Sequence, residues 1–119
     1  MKEFILKADT NGAILAGELY NAALSLPGFT VEPVLDLKGN LQSGSFHIKP
    51  KDFHGIDEPT GHTYANPDFP FELEISVTAV HWPDDTDEAR EKALCLIFKP
   101  LLEAYNKSHS CKATLQPRS

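Results

Sequence analysis

Two periods of apolar residues alternate along the chain, and each predicts its own elements. Phe4, Ile5 and Leu6 with Ala8 form a short apolar run, followed by Asp9, Thr10, Asn11 and Gly12, residue types that turn a chain and cap helices. Over 13–26, Leu15, Leu19, Ala22, Ala23 and Leu26 recur three or four apart and share one helical face, and Leu26-Pro27-Gly28 stops that helix. From Phe29 to Leu37 the odd positions Phe29, Val31, Leu35 and Leu37 are apolar while Thr30, Glu32 and Asp36 are polar, the period of a half-buried strand. Pro33 interrupts its ladder and predicts an edge position or a bulge. Lys38-Gly39-Asn40 then turns the chain into a second strand over 42–49, with Phe46 and Ile48 on one parity and Ser45 and His47 on the other, so the two strands form a hairpin.

No sustained period runs through 50–70, which holds four prolines and two glycines, and the stretch reads as one long loop. Loops beyond about 12–15 residues are often functional or disordered. The next strand is the clearest in the chain: Phe71, Leu73, Ile75, Val77 and Ala79 alternate with Glu72, Glu74, Ser76 and Thr78. After His81-Trp82-Pro83, Asp85 is placed to cap a helix with Glu88 reaching back from the third position. Ala89, Ala93, Leu96, Ile97, Leu101 and Ala104 form the stripe of that helix, widened by Leu94, Phe98 and Leu102. It should end by Ser108 and pack Leu96, Ile97 and Leu101 on Leu73, Ile75 and Val77, and Cys111, Ala113 and Leu115 suggest a last short strand. The order strand, helix, strand, strand, long loop, strand, helix, strand predicts a single α+β domain over 1–119. Its sheet is largely antiparallel, of about five strands, with two helices on one face.

Composition narrows the classes of partner. Seventeen acidic against eleven basic side chains give a formal charge of −6, which repels phosphate backbones and anionic membranes. Neither nucleic acid nor a membrane is therefore an expected partner, whereas a basic protein, or a small molecule held in a local pocket, is compatible with the charge. The start of the chain has no apolar run behind a basic segment, and no stretch reaches the length of a membrane span, so a cytoplasmic location is expected. Cys95 falls among the apolar residues of the second helix and reads as a buried thiol rather than half of a bridge to Cys111. Folding is expected to need no metal, cofactor or disulfide, and nothing in the pattern fixes an oligomeric state.

The strong catalytic motifs are missing: there is no phosphate-binding glycine loop, Gly-x-Ser-x-Gly elbow, Cys-x-x-Cys pair or helical His-Glu-x-x-His. One cluster in or beside the long loop, His47, His54, Asp57, Glu58, His62 and Asp68, combines imidazole with carboxylate, the material of acid–base pairs and transition-metal sites. Its spacing matches no ligand pattern, and a solvated polar loop that happens to contain histidines is the plainer account. Within it, Gly61 to Asn66 pairs a glycine that permits close backbone approach with His62, Tyr64 and Asn66, which suits a ligand lip or a protein contact. The pattern favours the blander alternative, a turn with Tyr64 packed back over the core. Trp82 is either an interface anchor or core packing. Asp84, Asp85, Asp87, Glu88 and Glu91 are explained by a helix start, and would also face a basic partner.

The leading expectation is a small acidic protein-binding domain, an inhibitor or immunity-type protein acting on a basic toxin or nuclease. Its binding residues are Asp57, Glu58, His62, Tyr64, Asn66, Trp82, Asp84, Asp85 and Asp87. The alternative is a small-ligand protein or an acid–base enzyme in which His54 and His62 form the pair and Asp57 or Glu58 orients it. A structural subunit of a phage or bacterial assembly is the third reading, suggested by the edges of an open sheet.

Overall fold

The structure, a computed structural model, describes residues 4–39, 41–51, 59–78, 87–109 and 113–117, with backbone alone at 41–44, 87, 89 and 90. Along the chain lie β1 (Phe4–Lys7), α1 (Gly12–Leu24), β2 (Phe29–Leu35), β3 (Leu41–Pro50), β4 (Thr60–Tyr64), β5 (Glu72–Thr78), α2 (Asp87–Ser108) and β6 (Thr114–Pro117). They build a six-stranded sheet in the order β2-β3-β4-β5-β1-β6, antiparallel at every pairing. β2 to β5 run as a meander. α1 carries the chain from β1, inside the sheet, to the β2 edge, and α2 returns it past β1 to the β6 edge.

The α+β class and the antiparallel sheet with two helices on one face stand as expected, with six strands where about five were expected. The added strand is β4, inside the stretch read as a loop over 50–70. Its positions facing the helices are Gly61 and Thr63, so the apolar alternation that marks a strand is missing from it. Both still belong to the core side. A methyl group on Gly61 would meet Ile48, Ile97 and Phe98, and the buried Thr63 Oγ1 accepts the Phe46 backbone N–H at 3.2 Å, a side chain serving the β3–β4 ladder.

Alternation along the strands places Phe4, Leu6, Phe46, Ile48, Leu73, Ile75 and Val77 on one face, where they are buried with Leu15, Ala16, Leu19 and Ala23 of α1. From α2 come Leu94, Ile97, Phe98, Leu101, Leu102 and Tyr105. This corrects the phase read for the second helix: Ile97 and Leu101 are buried, but Leu96 is 53% exposed. At 3.6 residues per turn Leu96 lies roughly opposite Leu94 and Phe98, and the buried stripe follows those two and continues to Tyr105. Phe71 is exposed because β5 begins one residue after it, and Leu35 and Leu37 are exposed where β2 ends and the hairpin turns. Pro33 does sit on an edge strand, beside a register shift between Pro33 and Leu35. Among the described residues no helix is long and apolar enough to cross a membrane.

α1 is pinned to the sheet at its start. The Asn11 side chain accepts the Ala13 N–H at 2.8 Å as an N-cap, and the Gly12 N–H donates to the Pro70 carbonyl at 2.7 Å. Gly12 touches the backbone of Glu72 so closely that a Cβ there would run into its carbonyl oxygen. The connection between β4 and β5 is thereby fixed against the helix.

Candidate functional site

With both helices on one face, the side chains of opposite parity line the other. Cross-strand register sets them in rows. One row runs Glu32 on β2, His47 on β3, His62 on β4 and Ser76 on β5. A neighbouring row joins Thr60 to Thr78, and on the other side Tyr64 stands opposite Glu74. Towards β1 and β6 the row from Tyr64 and Glu74 continues to Ile5 and Gln116, and there Ile5 is only 2% exposed. In the β2–β5 half Glu32, Tyr64, Ser76 and Thr78 are exposed and His47 and His62 half-buried, and beyond it the buried Ile5 has the exposed Lys7 and Thr114 beside it on the same face.

The two histidines are in contact at the centre of that half. Their ring centroids lie 4.6 Å apart with planes at 75°, an edge-to-face arrangement. His62 Nε2 is 2.7 Å from Thr78 Oγ1. Burial, and after it the charge of a protonated His47, lowers the His62 pKa from its ordinary value of 6.5. Among the described residues no three metal-ligating side chains converge on one point.

Of the residues expected to form the site, the fold brings His62 and Tyr64 together, two apart on β4 and on the same open face. Tyr64 is 43% exposed, so it is not packed back over the core, and the stretch around it is a strand rather than a turn. Asn66 has turn chemistry: its Oδ1 accepts the Asp68 N–H at 2.9 Å and its carbonyl accepts the Phe69 N–H at 3.0 Å, which shapes the connection to β5. His54, Asp57, Glu58, Trp82, Asp84, Asp85 and the side chain of Asp87 lie outside the described residues. The sequence places His47 on the polar parity of its strand and among six residues in or beside the long stretch, without singling it out as the neighbour of His62. Its partnership with His62 depends on β4, whose pattern carried no strand signal.

A second polar cluster carries no signal in the sequence, because Glu18 on α1 lies far along the chain from Tyr105, Ser108 and His109. Glu18 on α1 accepts the Tyr105 hydroxyl at 3.0 Å and lies 3.2 Å from His109 Nε2, and the Tyr105 and His109 rings stack with centroids 4.0 Å apart. His109 Nδ1 lies 2.9 Å from the Tyr105 carbonyl and 3.1 Å from Ser108 Oγ. Serine, imidazole and carboxylate follow one another here as in a hydrolytic relay. The electrostatics oppose that chemistry. Ser108 Oγ is within 3.3 Å of the Ala104 carbonyl and 3.2 Å of the Tyr105 carbonyl, at the negative end of α2, where a developing oxyanion is disfavoured. The cluster caps α2 and ties it to α1. The chain matches no protein-family model, no curated protein and no solved structure, so the site is read from its geometry.

Proposed function

We propose that the protein is a small acidic binding domain that occludes a basic protein partner on the β2–β5 half of its helix-free face. An inhibitor or immunity-type protein directed at a basic toxin or nuclease is the concrete form of this reading. The observation that carries it is the face itself, an exposed surface on which an aromatic ring, two imidazoles, hydroxyls and carboxylates are held in register by paired strands. Tyr64 supplies the aromatic area that dominates interface energies, and Glu32 and Glu74 supply charge complementary to a basic surface. Connectivity adds to this. Thr60 and Thr78 are register partners, and from them the chain leads directly into the segments that carry Asp57 and Glu58 and Asp84, Asp85 and Asp87. The chain's net charge of −6 favours the same class of partner.

The test is affinity capture from the native host with four baits: the wild-type protein, Tyr64→Ala, Glu32→Lys, and Leu96→Ala as a control on the outer side of α2. The wild-type protein and the Leu96 variant should retain one basic protein at 1:1, and the two face variants should retain it at least tenfold less, the effect of losing about 1.4 kcal/mol. Equal retention by all four, or the absence of a stoichiometric partner, would overturn the proposal.

A further inference from the structure

We infer that His47 and His62 form a surface site for one divalent transition-metal ion of the zinc class, held by the two imidazoles and completed by water. The inference goes beyond the protein-binding reading and stands without it. Three observations carry it.

The first is distance. With metal–nitrogen bonds of about 2.0–2.1 Å, two imidazoles on one tetrahedral ion keep their ring centroids about 5 Å apart. The rings of His47 and His62 are 4.6 Å apart, close to that separation, and turning the His47 ring out of its edge-to-face arrangement while His62 keeps its Thr78 contact is the adjustment chelation asks for. The second is the support of one ligand. A histidine that binds metal usually gives its other ring N–H to a neighbouring acceptor, which fixes the tautomer and the ring orientation. The 2.7 Å contact between His62 Nε2 and Thr78 Oγ1 is such a contact, and in the tautomer that donates to Thr78 it leaves the Nδ1 lone pair for a metal. The third is placement. The two residues are register partners on neighbouring interior strands, which holds their backbones more firmly than a loop would. His47's other register partner is Glu32, an exposed carboxylate on the same face with a side chain long enough to approach the ion. Imidazole with an optional carboxylate suits zinc, nickel and copper rather than calcium or magnesium.

The test uses the full chain, stripped with chelator and titrated with zinc chloride alone while NMR follows the ring signals of its five histidines. The titration is repeated with His47→Gln and His62→Gln, each a change on the helix-free face that leaves the apolar core intact. Zinc should move the His47 and His62 signals together, saturating at one equivalent, and leave His109 unmoved. Each variant should weaken zinc binding by on the order of tenfold or more, comparable at least to losing a supporting contact. Unchanged affinity in either variant, shifts that saturate first at other histidines, or no saturable binding below about 1 mM would overturn the inference.

Discussion

Two glycines and one histidine show how single residues set this structure. Gly61 is where α2 reaches the sheet, and a Cβ there would lie 2.9–3.1 Å from side-chain atoms of Ile48, Ile97 and Phe98. Gly61→Ala should cost about 1–3 kcal/mol, the usual result of overpacking a core. Gly12→Ala should cost more than Gly61→Ala, because the obstruction is the Glu72 carbonyl, backbone that cannot rotate away, and the helical gain of about 1 kcal/mol does not offset it. Urea denaturation of the two variants checks both the sign and the order. His62 links stability to pH. Its pKa is lowered in the folded protein, first by burial and then by His47, so between that value and 6.5 the unfolded chain binds more protons than the folded one. Stability contributed by this group is therefore fully present above about pH 6.5 and declines as the pH falls through the window towards the folded pKa. In chelator-containing buffer, His62→Gln should flatten that decline across about pH 5–7. A variant whose denaturation midpoint falls with acid as steeply as the wild type would contradict the assignment.

At the scale of elements, the packing of α2 gives the sharpest contrast. Leu101 is fully buried and Leu96 half-exposed. Leu101→Ala should cost about 2–5 kcal/mol, whereas Leu96→Ala should stay within about 0.5 kcal/mol of the wild type. Comparable losses at both positions would mean that the buried stripe of α2 has the wrong phase. What the sequence could disclose of each element depended on how much apolar contrast it carried. β5, with Leu73, Ile75 and Val77 against Glu72, Glu74 and Ser76, was legible because it has a core face and a polar face. α2 was legible as an element but not in phase, because apolar residues crowd nearly all of 93–98 and leave Leu96 indistinguishable from its buried neighbours. β4 was not legible. It meets the core through a glycine and a threonine, and only the ladders to β3 and β5 make it a strand. The candidate site inherited that limit: His62 and Tyr64 could be singled out by residue type, but their common face, and His47 beside them, follow from β4 alone. Deletion experiments inherit it as well, since removing 52–68 would take an interior strand from the sheet.

For the molecule as a whole, the layout separates stability from recognition. One face of the sheet carries both helices and the apolar core, and the β2–β5 half of the other carries charge, hydroxyls, imidazoles and Tyr64. A partner recognised there by charge should bind more weakly as salt rises, since exposed pairs are screened over about 8–10 Å at physiological ionic strength. The most direct measurement is amide hydrogen exchange of the chain alone and in complex with the basic protein retained in the capture experiment. Slowed exchange on β3 and β4 around His47, His62 and Tyr64, with the outer side of α2 around Lys92, Leu96 and Lys99 unchanged, is the predicted result. Protection confined to α1 and α2, with the β2–β5 strands exchanging as in the free chain, would contradict the account.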